Sequence, residues 1–271
     1  MTQQTEIWRV AAASVRGSGH ERVGMPCQDA HHWAVGGEGL ATSPQPTRPE
    51  GTRKGEGVLA VAVADGAGSA PLAEIGSALA ARAAADALVD VPVDPALWTV
   101  RLRSALEAAL SAVEAEAASR GVPSRDLATT LIVVLAGESG VAVAQIGDGA
   151  VVIGDSTGSL TSLTVPRSGE YINETTFLIS PGAVEQAQHA TWSGTPSHIA
   201  VFSDGLQRLA LKTPENTPHA GFFQPLFKFV ESATDPDSAT AQLSAFLLSP
   251  RVATRADDDL TLVLACRKET D

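Results

Sequence analysis

Val58-Leu59-Ala60-Val61-Ala62-Val63-Ala64-Asp65-Gly66-Ala67-Gly68 is the stretch on which the rest of the chain turns. Seven apolar residues in unbroken succession have the length of a β-strand, and Asp-Gly ends them abruptly. Moving outward, the same pairing recurs: an apolar strand with an aspartate at or just past its end, beside glycine or another aspartate. It returns at Gln145-Ile146-Gly147-Asp148-Gly149, at Phe202-Ser203-Asp204-Gly205 and at Asp257-Asp258-Asp259-Leu260-Thr261. Cys27-Gln28-Asp29-Ala30 places a further aspartate at the opening of a strand.

The elements between these points follow from periodicity. Ile7–Ser14 and Asp29–Val35 read as the first strands, joined by a glycine-punctuated loop over Gly17–Cys27. Gly36–Gly57 is polar, holds three prolines and six glycines, and predicts a flexible surface loop inside a single domain spanning residues 1–271. After Asp65-Gly66 a helix is expected, with Leu72, Ile75, Leu79, Ala83 and Ala87 on its buried face. A second helix covers Pro95–Ser119 on a stripe of Leu102, Leu106, Leu110 and Val113. A β-meander then runs through Thr129–Ala136, Val141–Gly147, Ala150–Gly154 and Leu160–Val165, with hairpins favoured at the short links. Ile199–Ser203 and Leu260–Cys266 are strands, and Phe222–Glu231 and Ser238–Leu248 helices. This order lacks the βαβ alternation of a doubly wound sheet. It suits an α+β sandwich whose two sheets pack together under outer helices.

Asp-Gly taken singly is ordinary turn chemistry, and Asp148-Gly149 fits a hairpin turn. Its recurrence points elsewhere. Carboxylates gathered at one edge of a sandwich repel one another and resist burial unless a cation neutralises them. Oxygen ligands without a Cys/His cluster favour a hard, six-coordinate ion, Mg²⁺ or Mn²⁺ rather than Zn²⁺. Glycine after the aspartate lets backbone approach closely, so that its carbonyl can also bind.

Composition narrows the partners. The formal net charge of −12 disfavours nucleic acid and anionic membranes. Apolar runs such as Leu131–Ala136 are too short to span a bilayer, and Met1–Arg9 lacks the pattern of a secretory signal. With only Cys27 and Cys266, a cytoplasmic, reducing setting is expected. Neither cysteine has an arginine six positions later, as a cysteine phosphatase needs: Trp33 follows Cys27 at that distance. Gly154-Asp155-Ser156-Thr157-Gly158 matches the hydrolase pattern G-x-S-x-G, but a strand follows it, so a hairpin turn is expected. His31 and His32 alternate on a strand and cannot share one metal.

In order, Gln28-Asp29, Asp65-Gly66-x-Gly68, Thr129-Thr130, Gly147-Asp148-Gly149, Ser203-Asp204-Gly205 and Asp258-Asp259-x-Thr261 resemble the type 2C, metal-dependent Ser/Thr protein phosphatases. Gly17-Ser18-Gly19-His20 through Ala30, and Gly169–Thr175, look like a bacterial branch of that family. The resemblance implies a four-layer α/β/β/α sandwich of two antiparallel sheets. It implies that Asp65 bridges two metal ions, that the Gly66 carbonyl binds the second, and that Asp204 and Asp258 complete the first. Asp29 would hold metal-bound water, and Asp148 would stand by a third ion. The implied cofactor is Mg²⁺ or Mn²⁺, and the implied partners are a phosphorylated protein substrate and an opposing Ser/Thr kinase. Two departures stand out. Ala67 replaces the histidine often proposed as general acid, and Gly24 replaces the arginine that often grips phosphate, with His20 or Arg22 as substitutes. A weakly active regulatory module on the same fold and a small-molecule phosphatase are the alternatives. The stretch between Asp148 and Asp204 is short for the family, implying a reduced flap.

Overall fold

A computed structural model of the chain describes residues 8–36, 41–42, 57–89, 94–166 and 175–268. In chain order these form β1 (Trp8–Val15), α1 (Ser18–Val23), β2 (Asp29–Gly36), β3 (Ala41–Thr42), β4 (Val58–Asp65) and α2 (Ala73–Asp86). A 3₁₀ turn at Pro95–Leu97 leads into α3 (Trp98–Arg120), followed by β5 (Leu131–Gly137), β6 (Gly140–Ile146), β7 (Ala150–Gly154) and β8 (Leu160–Thr164). Then come β9 (Gln188–Ser193), β10 (His198–Phe202), α4 (Gln207–Ala210), β11 (Leu211–Lys212) and β12 (Thr217–Pro218). The chain closes with α5 (Ala220–Ser232), α6 (Pro236–Leu247), α7 (Pro250–Ala253) and β13 (Leu260–Arg267).

Two large antiparallel sheets result, ordered β3-β2-β4-β5-β6-β9 and β1-β13-β10-β7-β8, beside a small two-stranded sheet of β11 and β12. Three apolar cores separate four layers. Leu59, Val61, Val63, Val134 and Val143 meet Val10, Val151, Val201 and Val263 between the sheets. The alternate residues of the same strands, among them Ala60, Ala62, Val133 and Leu135, pack under α2 and α3. On the other side Phe202, Leu262 and Leu264 pack under α5 and α6, against Phe223, Phe227 and Leu243. With both faces covered, β4 has no solvent side, and its unbroken apolar run follows. This is the expected α+β sandwich.

Four details differ from the sequence expectations. Residues Ser18–Val23, expected in a loop, form a helical turn that Gly24 closes in the left-handed region at φ 71°. The face of α2 that is buried is Ala73, Gly76, Ser77, Ala80, Ala81, Ala84 and Ala85, with Leu72 and Ile75 on its flank. Small side chains let the helix sit close on its neighbours, so here size outweighs hydrophobicity. The link Asp148-Gly149 is not a hairpin turn, because β6 and β7 belong to different sheets. Strand β9, polar and only half-buried, escaped apolar patterning altogether. Of the polar stretch at 36–57, Ala41–Thr42 pairs with Ala34 and Val35, while residues 43–56 and the Gly169–Glu174 part of the bacterial-branch motif lie outside the described residues. No helix among the described residues is long and apolar enough to cross a membrane.

The close seating of α2 can be tested. A Cβ on Gly76 would stand 2.1 Å from the Leu127 carbonyl oxygen. Gly76→Ala is therefore expected to cost about 3 kcal/mol through overpacking, seen as a fall in Tm of roughly 6–10 °C. An unchanged Tm would mean that the helix can shift outward at no cost.

Candidate active site

The antiparallel register gathers the marked aspartates at one end of the sandwich. Asp29 opens β2 directly opposite Asp65, which closes β4. Thr129 and Thr130, leading into β5, hold that end: the Thr130 amide and the Thr129 hydroxyl donate to the Asp65 carbonyl at 2.8 and 3.0 Å. The Asp65 amide in turn donates to Thr130 Oγ1 at 3.0 Å. In the second sheet Phe202 pairs with both Ala150 and Leu262, so the end of β10 lies beside the starts of β7 and β13. Asp204, Asp148 and Asp258 flank those three strand ends. Ser203 joins the sheets by donating from Oγ to Asp29 Oδ2 at 2.6 Å.

Electrostatics confirms that these groups act on one another. Burial pushes the Asp29 carboxyl up to about 7, against hydrogen bonds from Ser203 and Thr261 that favour its charge, with Asp259 and Asp204 adding repulsion. Burial likewise raises Asp65 well above the usual carboxylate range, reinforced by Asp29, Asp204 and Asp258. Asp204 rises to about 6 by burial, held back by its interaction with Asp65 and pushed further by the charges of Asp148 and Asp258. Asp29 Oδ1 and Asp204 Oδ1 are buried without a partner. Among the described residues no three acidic, histidine or cysteine side chains are already drawn around one point as a cation cage. Asp65 and Asp204 instead act directly on each other, each shifting the other's carboxyl.

The glycines decide between turn and site. Neither Gly66 nor Gly205 has the positive φ that an Asp-Gly turn asks of glycine. A Cβ on Gly66 would stand 2.7 Å from the Gln28 carbonyl oxygen, and one on Gly205 2.2 Å from that of Asp259. Both are glycine because backbone from a neighbouring strand end passes there. Asp148 is fastened separately, its carboxylate accepting from Thr175 Oγ1 at 2.9 Å and its carbonyl accepting from Gln207 Nε2.

With this geometry in place, similarity to known proteins is informative. The family model for protein phosphatase 2C matches residues 50–248. The chain is 35% identical to serine/threonine-protein phosphatase 3 of Escherichia coli (strain K12), over 95% of this chain and 98% of that protein. The chain belongs to the protein phosphatase 2C family. Solved structures share the fold. The S. agalactiae serine/threonine phosphatase superposes with a TM-score of 0.64 at 14% identity, covering 96% of this chain and 100% of that one. The catalytic domain of the serine threonine protein phosphatase PstP, solved in complex with two manganese ions, gives a TM-score of 0.56 at 20% identity, covering 97% and 99%.

As a member of the protein phosphatase 2C family, the chain shows what its two departures do. Ala67 is buried in a nest with Ala70, Ala73 and Ala128, and its amide donates to the Ala128 carbonyl, so nothing at this position can give a proton. Gly24, as a left-handed helix cap, is a poor site for arginine. His20 and Arg22, on the turn that Gly24 closes, are directed at residues 257–259. His20 Nδ1 faces Asp259 Oδ2 at 2.9 Å without the alignment of a hydrogen bond. Arg22, largely exposed, stands 3.5 Å from Asp257 Oδ1.

Asp259 itself was missed by sequence reasoning. Only 2% exposed, it accepts from the Gly17 amide at 2.7 Å and from the Gln28 amide at 2.5 Å, tying the loop before β2 to the start of β13. Its neighbour Asp258 is exposed, with Oδ1 accepting from the Asp259 amide at 2.8 Å. In a run of three aspartates nothing marks the middle one as ligand and the last as latch, apart from the alternation of a strand about to begin. The cysteines are inert: burial pushes Cys266 up to about 11, and burial with Asp259 and Asp29 pushes Cys27 higher still. The G-x-S-x-G segment is the β7–β8 hairpin turn, with Asp155 Oδ1 accepting from the Thr157 and Ser159 amides.

Proposed function

We propose that the chain is a divalent-cation-dependent phosphatase that hydrolyses phosphoserine and phosphothreonine on proteins. The observation that carries this is the set of Asp29, Asp65, Asp148, Asp204 and Asp258, from both sheets, held in mutual repulsion with buried carboxylate oxygens unpartnered. Burying such a group is costly unless cations share it. The all-oxygen donor set suits Mg²⁺ or Mn²⁺, with two or three ions held by Asp65, Asp204, Asp258, the Gly66 carbonyl and Asp148. When bound, such ions lower the pKa of water and neutralise charge on the phosphoryl oxygens.

The chain's own residues do the rest. Ser203 occupies Oδ2 of the Asp29 carboxylate, which leaves Oδ1 to accept a hydrogen bond from the attacking water. Thr129 and Thr130 fix the Asp65 backbone, so that its carboxylate and the Gly66 carbonyl keep their relative direction. Arg22 supplies positive charge at the rim that lies nearest the missing arginine, with His20 beside it. The unpaired cysteines support a reducing, cytoplasmic setting, and a protein substrate implies an opposing Ser/Thr kinase. We read residues 1–271 as one phosphatase domain.

The purified chain is expected to release phosphate from p-nitrophenyl phosphate and from a phosphothreonine peptide with Mn²⁺, and to stop with EDTA. A folded protein that binds Mn²⁺ and releases none from either would be a regulatory module instead. Release from p-nitrophenyl phosphate alone would favour a small-molecule substrate.

A further inference from the structure

Gln145 is polar where the pattern of its strand calls for an apolar residue. Val141 and Val143 of β6 face the core between the sheets, and Gln145 continues that face while only 2% exposed. Its amide has a defined use. Nε2 donates to the Gly147 carbonyl at 3.1 Å and to the Gly149 carbonyl at 2.7 Å, the two carbonyls that flank Asp148. An amide nitrogen owns two hydrogens, one for each carbonyl, and the amide oxygen could serve neither. The carbonyl between them, that of Asp148 itself, accepts from Gln207 Nε2. Two glutamines therefore hold three successive carbonyls.

The same loop is wedged on both sides. Gly147 takes a φ of 104°, and a Cβ there would stand 2.5 Å from the Thr130 side chain. A Cβ on Gly149 would stand 2.6 Å from the Phe202 carbonyl oxygen. Thr130 accepts from the Asp65 amide, and Phe202 ends the strand that leads to Asp204. Gln207 opens the short helix that follows Asp204. Asp148 thus rides on a link pressed between the supports of Asp65 and Asp204, with its carboxylate accepting from Thr175 Oγ1. The link joins two sheets and pairs with neither, so its carbonyls need partners from side chains.

We propose that Gln145 is a positioning residue for the metal site, holding Asp148 together with Gln207 so that this carboxylate is presented to a divalent cation. The proposal rests on the function proposed above only in taking Asp148 as a cation ligand, and its first readout needs no turnover. A glutamine that merely satisfied buried carbonyls would, on removal, lower the Tm and leave cation binding as it was.

The metal-free protein is titrated with Mn²⁺, and free Mn²⁺ is counted by electron paramagnetic resonance. Asp148→Asn identifies the binding step that Asp148 serves. Gln145→Met, of similar length but without a donor, is expected to weaken that step on the order of tenfold, as loss of a partner behind a metal ligand does, and to leave the other steps unchanged. Gln207→Met should weaken the same step by less. In the Asp148→Asn background, Gln145→Met should add nothing. Wild-type binding by folded Gln145→Met, or equal weakening of every step, overturns the proposal. So does an Asp148→Asn titration that matches the wild type. Should Gln145→Met fail to fold, half-buried Gln207 decides in its place, and wild-type binding by Gln207→Met overturns the proposal. The second readout is p-nitrophenyl phosphate hydrolysis. Gln145→Met is expected to need more Mn²⁺ for half-maximal rate, with kcat restored at saturating Mn²⁺. A rate loss that saturating Mn²⁺ does not restore counts against positioning. A wild type that binds Mn²⁺ and releases no phosphate fails the phosphatase reading alone, and the binding steps still decide the role of Gln145.

Discussion

Asp65→Asn is expected to abolish Mn²⁺-dependent phosphate release, a loss on the order of a thousandfold or more, while leaving the metal-free protein at least as stable above pH 7. The two halves have one cause. Asp65 lies opposite Asp29 across the sheet and feels the charges of Asp29, Asp204 and Asp258. These three carboxylates act on it together, and asparagine cannot neutralise a cation from that place. In the absence of metal the same position is a liability. Asparagine removes one of the repelling charges.

The pH dependence follows in sign. Asp29 and Asp204 are raised from 3.8 to about 7 and about 6, and Asp65 is raised as well, so the folded, metal-free protein binds more protons than the unfolded chain across that interval. Stability therefore falls as pH climbs, from its full value near pH 4 to its lowest above about 7. Thermal melts in EDTA should show Tm falling over this range, less steeply for Asp65→Asn. Added Mn²⁺ should raise the wild-type Tm most at the alkaline end, where the carboxylates are charged and ready to bind. A metal-free Tm that ignores pH, or an Asp65→Asn enzyme that still turns over, would remove the charge cluster from the explanation.

The sequence made this cluster visible because strand ends are marked twice, once by loss of apolar residues and once by Asp-Gly. Asp65-Gly66, Asp148-Gly149 and Asp204-Gly205 could be picked out without knowing which strands pair. Where the links led was less legible. A two-residue connection such as Asp148-Gly149 has the same composition whether the next strand turns back or crosses to another sheet. The α2 face was misplaced because alanine and glycine, which permit close packing, carry little apolar signal beside Leu72, Ile75 and Leu79. Strand β9 alternates only between half-buried and exposed residues, too faint a contrast for a period of two. Partners distant in sequence were hidden by their nature: Ser14 and His31 are ordinary strand residues until the two sheets are stacked.

Asp259 is the plainest case of such a hidden role, and Asp259→Ala is expected to destabilise the protein more than any single substitution among the metal-facing aspartates. The carboxylate receives two backbone amides, from Gly17 and Gln28, and stands against His20 Nδ1 at 2.9 Å. Alanine leaves both amides buried with no acceptor, at about 1–3 kcal/mol each. A combined cost of about 4 kcal/mol corresponds to a Tm lowered by roughly 8–15 °C. The damage should reach the chemistry as well, because the Gln28 carbonyl accepts from the Gly66 amide at 3.1 Å and Gln28 directly precedes Asp29. Slackening Gln28 therefore loosens both the water-holding carboxylate and a metal-binding carbonyl, raising the Mn²⁺ concentration needed for half-maximal rate. His20→Ala removes a single contact and should cost far less stability. Asp259→Asn should fall between them, since its one carbonyl oxygen can serve either amide while its own NH₂ opposes the other. Were Asp259→Ala to melt within a degree or two of the wild type, the three contacts would be incidental. The loop before β2 would then be held by Asp257, whose carbonyl accepts from the Gly19 amide at 2.7 Å.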